Sequence, residues 1–142
     1  MRKKSTLFLL LTAIAVFVVL QLVPYGRNHT NPPIVAEPKW DSPATRALAR
    51  LACFDCHSSE TVWPWYANIA PASWLVYRDV VEARAEFSFS DWNARPARLR
   101  RIVSVVNAGE MPPKQYLLLH PEARLTADEK TKLLAGMERT LQ

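Results

Sequence analysis

A Cys-x-x-Cys-His sequence at Cys53–His57 places the strongest single constraint on how this chain can fold. Two thiols at this spacing can each form a thioether with one vinyl group of a single haem, and the histidine that follows can ligate the haem iron. The motif therefore indicates one haem c, attached through Cys53 and Cys56 and ligated by His57. Such a chain needs helices that bury the apolar faces of the porphyrin.

Two other roles for the paired thiols stay open at this point. A thioredoxin-like redox couple requires a strand before the motif and a βαβ unit around it, whereas the residues before Cys53 predict a helix. A structural zinc site needs four ligands, and outside the motif the chain has only His29 and His120 as further histidines, at no recognisable spacing. We therefore favour haem over dithiol or zinc chemistry.

Composition and charge narrow the remaining function classes. The length of 142 residues allows one globular domain and an appendage. The formal net charge is +5, but three basic residues precede the apolar N-terminal stretch, which leaves 15 basic and 13 acidic residues and no argument for nucleic acid. The two cysteines of the motif are the only ones, so no disulfide framework supports a small secreted domain. A haem would supply the missing core.

An apolar stretch at residues 7–23 predicts an export signal or a single membrane anchor over residues 1–23. Its 17 residues lie at the lower limit for a spanning helix, for which about 20 are usual. No small-x-small cleavage pattern ends the stretch, which favours retention as an anchor in a bacterial inner membrane. The basic residues 2–4 should stay in the cytoplasm, so the haem domain is expected to face the periplasm. Cleavage would instead release the domain into the periplasm.

A proline-rich segment separates this stretch from the motif. Four prolines and little periodicity predict an extended linker over residues 24–40, which leads to a haem-binding domain over residues 41–142. Ser42 is a suitable N-cap and Pro43 suits the first helical position, so a helix is predicted to start here and to end near His57.

Three further helices are predicted, and no strand. One opens at Pro71, and a second begins after a cap at Ser90 or Asp91 and is interrupted at Pro96. A capping box at Thr126–Glu129 announces the last helix. The predicted fold class is therefore all-α, with a helical domain around a covalent haem and an N-terminal transmembrane or signal helix before it.

The second axial position of the iron decides the chemistry. Met111 is the preferred ligand because it follows a helix stop at Gly109 and precedes two prolines, which limit backbone freedom. A thioether ligand favours ferrous iron, raises the reduction potential and suits electron transfer. His120 is the alternative distal ligand, and an open position would permit small-molecule binding or peroxide chemistry. Met137 lies on the apolar face of the last helix and is assigned to the core.

The surroundings of the haem are less defined by the sequence. The predicted loop at residues 58–70 contains the aromatic run 63–66, which either lines the haem pocket or packs in the core. His57 should donate its other ring N–H to a carbonyl, for which Ala70 and Pro71 are candidates.

Several longer motifs accompany the haem signature. They are Cys53–Ser58, Glu60–Tyr66, Ile69–Leu75, Glu110–Pro113 and Tyr116–Leu125. With these motifs the chain resembles the bacterial haem-binding domain family, a group of cytochrome-c-like proteins, over about residues 41–141. The resemblance implies a mostly helical domain with haem attached at Cys53 and Cys56, His57 as the proximal ligand and Met111 as the distal ligand. It does not specify a reaction or a partner.

The function expected from the sequence is that of a membrane-anchored, periplasm-facing monohaem c-type protein that carries single electrons to or from an unidentified redox protein. No acid/base pair or nucleophile constellation is evident, so an enzyme is not expected. The alternatives are a haem peroxidase or its accessory subunit, a haem-based sensor, and a haem-free periplasmic dithiol protein.

Overall fold

The computed structural model describes residues 2–141. About 60% of the chain is helical, and residues 2–141 contain no β-strand, only an isolated bridge between Ala36 and Asp91. The α-helices are α1 (Arg2–Leu20), α2 (Pro43–Ala52), α3 (Phe54–His57), α4 (Ala72–Glu86), α5 (Leu99–Asn107), α6 (Lys114–Leu119) and α7 (Ala127–Thr140). Two short 3-10 helices lie at Trp65–Asn68 and Pro121–Ala123. The prediction of an all-α fold is confirmed.

The chain divides into two compact units. The N-terminal unit comprises residues 2–30 and 63–79, and the C-terminal unit comprises residues 31–62 and 80–141. The N-terminal unit contains α1, in which the window Lys3–Leu20 has a mean hydropathy of 2.0 and contains no buried residue. This helix is long and apolar enough to cross a membrane, and a signal sequence has the same properties.

The C-terminal unit holds the Cys-x-x-Cys-His motif and a hydrophobic core. The buried residues of this core are Ala49, Phe54, Phe89, Ile102, Val106, Leu133 and Met137. They come from α2, α3, α5, α7 and the segment after α4, so the helices around the motif share one interior. Met137 is 1% exposed, which confirms its predicted place in the core.

The helix ends follow local capping rules. The Ser42 side chain accepts a hydrogen bond from the backbone N–H of Thr45 and caps α2, with Pro43 in the first turn. Thr126 and Glu129 form the predicted capping box at the start of α7. Gly109 has a φ of +69° directly after the cap of α5, which is the left-handed conformation that glycine adopts at helix ends.

The start of the helix that was predicted to follow Ser90 or Asp91 is wrong. Residues 90–98 form turns, and helix α5 begins only at Leu99. The backbone of this segment is paired elsewhere: the Ser90 carbonyl accepts a hydrogen bond from Ala36 N–H (3.2 Å), and Trp92 N–H donates to the Ala36 carbonyl (3.0 Å). The Ser90 carbonyl, which would be the first acceptor of a helix capped at Ser90, is therefore already bonded, and Pro96 has no N–H with which to continue such a helix.

Helices α2 and α7 pack closely where Gly136 faces Thr45, and both residues are buried. A Cβ atom at position 136 would overlap the hydroxyl and the methyl group of Thr45. Glycine is therefore required here by close approach, although alanine is the better helix former.

We expect Gly136→Ala to lower the free energy of unfolding by about 1–2 kcal/mol, because overpacking outweighs the gain in helix propensity. The measurement is urea denaturation of the full-length chain in detergent. Glu138→Ala, at an exposed position of the same helix, is the control and should change stability by less than about 0.5 kcal/mol. Equal or higher stability of Gly136→Ala would contradict this packing argument.

Candidate functional site

The Cys-x-x-Cys-His motif lies at a break between two helices. Cys53 ends α2, with its N–H donating to the Ala49 carbonyl (2.8 Å), and its own carbonyl accepts from the N–H of His57 (2.9 Å). The predicted single helix to His57 is thus divided at Cys53, whose φ of −127° is not helical. In the following turn Phe54 is 1% exposed, whereas Cys53, Cys56 and His57 are only partly buried. The motif is therefore anchored in the core by Phe54, while the side chains of Cys53, Cys56 and His57 remain partly exposed to solvent.

The imidazole of His57 is oriented by the end of helix α4. Its Nδ1 lies 3.0 Å from the carbonyl oxygen of Ala83 and 3.3 Å from that of Phe87. A carbonyl oxygen can only accept, so Nδ1 carries the proton and Nε2 carries the lone pair. The Phe87 ring stacks on the imidazole at a centroid distance of 3.9 Å and an angle of 8°. This arrangement fixes the ring in the orientation and tautomer in which Nε2 could ligate a metal.

Burial lowers the pKa of His57, and the hydrogen bonds to the Phe87 and Ala83 carbonyls oppose this effect. The lowered pKa favours the neutral imidazole at neutral pH. Neutral imidazole is the form that ligates a metal ion.

The predicted carbonyl partner for His57 is wrong. The Ala70 carbonyl accepts a hydrogen bond from the side chain of Gln21 (2.9 Å), whereas the carbonyls that contact His57 belong to Ala83 in α4 and to Phe87 directly after it. Carbonyls at a helix end often lack a helical donor, which is a general signal for Phe87. The Ala83 carbonyl gives no such signal, because it also accepts from the N–H of Phe87 (3.1 Å). Nothing in the sequence pairs α4 with the motif.

The two thiols are not joined in a disulfide. Burial, and then the neighbouring Cys56, raises the pKa of Cys53 to about 12. A redox-active dithiol needs a thiolate stabilised by a lowered pKa. Cys53 is thus a protonated thiol at neutral pH rather than an activated nucleophile.

Arg84 of helix α4 fixes the chain after the motif. Its Nε donates to the carbonyl of Ser58 (2.7 Å), and its Nη2 donates to Thr61 Oγ1 (2.8 Å) and to Asn31 Oδ1 (2.8 Å). Desolvation lowers the pKa of this guanidinium. Sequence reasoning missed Arg84, because an arginine on a helix is usually a solvated residue.

Asp55, inside the motif, is held by Tyr116 of helix α6. The Tyr116 hydroxyl donates to Asp55 Oδ2 (2.7 Å), and Val62 N–H donates to Asp55 Oδ1 (2.9 Å). Burial, followed by the contact with Asp55, raises the pKa of Tyr116, so the phenol remains a donor. This contact, between residues 61 positions apart, was also missed by sequence reasoning.

The two candidate distal ligands both lie in the C-terminal unit. Met111 follows α5, its N–H donates to the Val105 carbonyl (3.2 Å), and its side chain is 42% exposed. His120 stacks on the Tyr116 ring at 4.3 Å, and its Nδ1 lies 3.1 Å from Glu122 Oε1. Tyr116 thus brings His120 towards the motif.

The residues present fit a haem. The groups that could attach or ligate a haem are the two thiols of the motif, the oriented imidazole of His57 and the exposed thioether of Met111. Leucines at positions 51, 118 and 119 of α2 and α6 expose 40%, 77% and 62% of their surface. A porphyrin needs such apolar surface. The part of the chain that the structure describes contains no group of three or more His, Cys, Asp or Glu side chains that could hold a metal ion in the absence of a haem.

A protein-family model described as the haem-binding domain matches residues 15–139. The chain belongs to the haem-binding domain family. The match starts at Ala15 within α1, so the shared region of this haem-binding domain includes the end of the apolar helix as well as the segment before the motif. Neither a curated protein nor a solved structure is significantly similar to this chain.

We expect Tyr116→Phe to lower the free energy of unfolding by about 1.5 kcal/mol, because it removes a hydrogen bond to a carboxylate. Chemical denaturation of the full-length chain measures the effect. Tyr77→Phe is the control, since among the described residues Tyr77 makes a ring contact with Tyr25 and its hydroxyl has no hydrogen bond to a carboxylate. Equal stabilities of the two variants would show that the bond to Asp55 contributes little.

An ion pair before the motif predicts a pH dependence. Arg46 Nη2 contacts Glu37 Oε1 (2.6 Å) and Glu60 Oε1 (3.0 Å), and the hydrogen bond from Arg46 is the main cause that lowers the pKa of Glu37. A lowered folded-state pKa stabilises the fold above the unfolded value, and this stabilisation is lost as the pH falls through the folded value.

Glu37→Gln should therefore cost about 1 kcal/mol at pH 7 and progressively less below the ordinary pKa of glutamate, 4.5. Denaturation of both proteins between pH 7 and pH 3 tests this sign. Glu138→Gln, at an exposed position, is the control. A difference that stays constant as the pH falls would refute the role of the Glu37 charge.

Proposed function

We propose that this chain is a membrane-anchored c-type monohaem protein that transfers single electrons. The observation that carries the proposal is the His57 ring, whose Nδ1 is bonded to the Ala83 carbonyl, which leaves the lone pair on Nε2 as the one that would ligate iron. This ring follows directly after the two thiols in the motif Cys53–His57. The pattern is typical of covalent haem attachment with a proximal histidine.

The attachment chemistry that we propose uses both cysteines. Cys53 and Cys56 would each hold a haem through a thioether to one vinyl group, with the S–H hydrogen going to the vinyl carbon and no net oxidation. A haem c, when bound, supplies a one-electron iron couple.

Met111 is the proposed distal ligand. Its side chain is exposed, and its backbone is fixed by the hydrogen bond to Val105 and by the two prolines that follow it. Ligation by His57 and Met111 would close both axial positions, which favours electron transfer over turnover of a bound substrate.

A specific contact favours His120 as the second candidate. Its Nδ1 faces the Glu122 carboxylate at 3.1 Å, and a carboxylate partner on one ring nitrogen prepares the other for a metal. Stacking on Tyr116, which is bonded to Asp55, links this ring to the motif.

We also propose that α1 is retained as an anchor in a bacterial inner membrane, with the haem domain in the periplasm. The fully exposed apolar window and the start of the family match inside this helix support retention. The basic residues 2–4 support a cytoplasmic N-terminus.

Mass spectrometry and visible spectra of the full-length protein, produced with haem-maturation machinery, test the proposal. The wild type should carry one covalently attached haem and show a low-spin spectrum when oxidised and reduced. Met111→Ala should retain the haem, become high-spin and show a lower midpoint potential. His120→Ala is the matched variant and should keep the low-spin spectrum.

Other outcomes would select the rivals. A spectrum changed by His120→Ala and not by Met111→Ala would make His120 the ligand. An open iron that turns over peroxide would indicate a peroxidase or its accessory subunit, and carbon monoxide binding without ligand displacement would indicate a sensor. A protein without haem that cycles between dithiol and disulfide would refute the proposal.

A further inference from the structure

The end of the apolar helix is fastened to a second chain segment of the N-terminal unit. Gln21, one residue after α1, donates from Nε2 to the Ala70 carbonyl (2.9 Å) and accepts at Oε1 from the Ala70 N–H (3.0 Å). A side-chain amide that bonds to both the N–H and the C=O of one residue fixes the position of that residue and the direction of its backbone. Ala70 is therefore held at the level where α1 ends.

Two further sets of contacts pack the segment around Ala70 against residues 21–30, which follow α1. Gly26 has a φ of +76°, and a Cβ there would lie 2.5 Å from the Ser73 carbonyl oxygen, so only glycine allows this approach. His29 Nε2 contacts the carbonyls of Gly26 and Ala67, each at 3.1 Å, and its ring stacks on Trp63 at 4.5 Å. Residues on both sides of Ala70 are thus packed against residues 21–30.

The exposed side chains of this clamped segment are mainly apolar, although Asn68 is exposed as well. Trp65 is 76% exposed, whereas Trp63, two residues earlier, is stacked on His29. Leu22 is 76% exposed, and Ile69, adjacent to the clamped Ala70, is 37% exposed. Water is a poor environment for a tryptophan and an isoleucine presented beside an apolar helix.

The length of α1 indicates that the surface of a membrane covers these side chains. Nineteen helical residues span about 28 Å, close to the hydrocarbon thickness of about 30 Å. In a membrane-spanning α1, Gln21 would then lie at the headgroup level, and its bonds to Ala70 would bring the neighbouring Ile69 to the same level. Trp65 opens the short 3-10 helix Trp65–Asn68 that leads to Ile69, so it would lie within about 8 Å of that level. Tryptophan is enriched at that level because its ring is amphipathic.

We propose that Trp65 and Ile69 are seated in the phospholipid headgroup layer of the membrane that α1 crosses, and that Gln21 is the clamp that places them there. The inference rests on the proposed anchoring by α1. The occupant is the bilayer surface, because these exposed side chains lie in the same compact unit as α1, whose apolar window contains no buried residue.

Photolabelling of the full-length holoprotein tests this directly. The protein is reconstituted in vesicles of phosphatidylethanolamine and phosphatidylglycerol that contain a trace of phospholipid with a diazirine near the glycerol end of one acyl chain. After irradiation and digestion, mass spectrometry should find lipid adducts on α1 and on residues 65–69. The peptide around Trp92, in the C-terminal unit, should carry none.

A pair of variants tests the clamp. Gln21→Ala should lower the labelling of residues 65–69 several-fold relative to that of α1. Thr12→Ala is the matched control, since the Thr12 hydroxyl donates only within the helix, to the Phe8 carbonyl (3.0 Å). It should leave the ratio unchanged.

The outcomes separate this inference from the proposed anchoring. Adducts on α1 without adducts on residues 65–69 would overturn the inference and leave the anchor in place, and the haem or a partner protein would then cover Trp65. Adducts on neither would overturn both. Labelling of residues 65–69 that Gln21→Ala does not reduce would overturn the clamp.

Discussion

The hydrogen bond between His57 Nδ1 and the Ala83 carbonyl is the contact on which the candidate site depends. Without it the imidazole would be free to rotate and to exchange the proton between its two nitrogens. The bond uses a backbone acceptor, which cannot change protonation state, and Phe87 covers one face of the ring. The motif and the end of α4 therefore form one structural element, and the orientation of the His57 ring is a property of the protein itself.

The rest of the C-terminal unit supports this element from two sides. Phe54, inside the motif, stacks with Phe89 at 5.2 Å, and the guanidinium of Arg46 lies 5.2 Å from the centre of the same Phe54 ring. On the other side, Arg84 binds the Ser58 carbonyl immediately after the motif. A loop that carries a ligand is precise only when its neighbours restrict it. Here both the entry and the exit of the motif are restricted by groups that do not contact the ligating nitrogen.

The features that could be predicted from the sequence are local ones. The N-cap at Ser42, the capping box at Thr126 and the glycine at the end of α5 each depend on a few consecutive residues, so their patterns are readable in the chain. The motif Cys53–His57 is also local, since its chemistry lies in five adjacent residues. The family match agrees with the haem that this motif indicates.

The features that could not be predicted join distant residues. The bond from Tyr116 to Asp55 and the pairing of Gln21 with Ala70 span 61 and 49 residues, and no periodicity or cap encodes such contacts. The second pairing also changes how the N-terminus is understood. An apolar stretch that only directs export needs no specific partner, whereas Gln21 makes two hydrogen bonds with Ala70 and Gly26 has a position that excludes any Cβ. A family match that starts at Ala15 agrees with this. The end of α1 is thus part of the fold, and its removal would leave the polar groups of Ala70 without their partners.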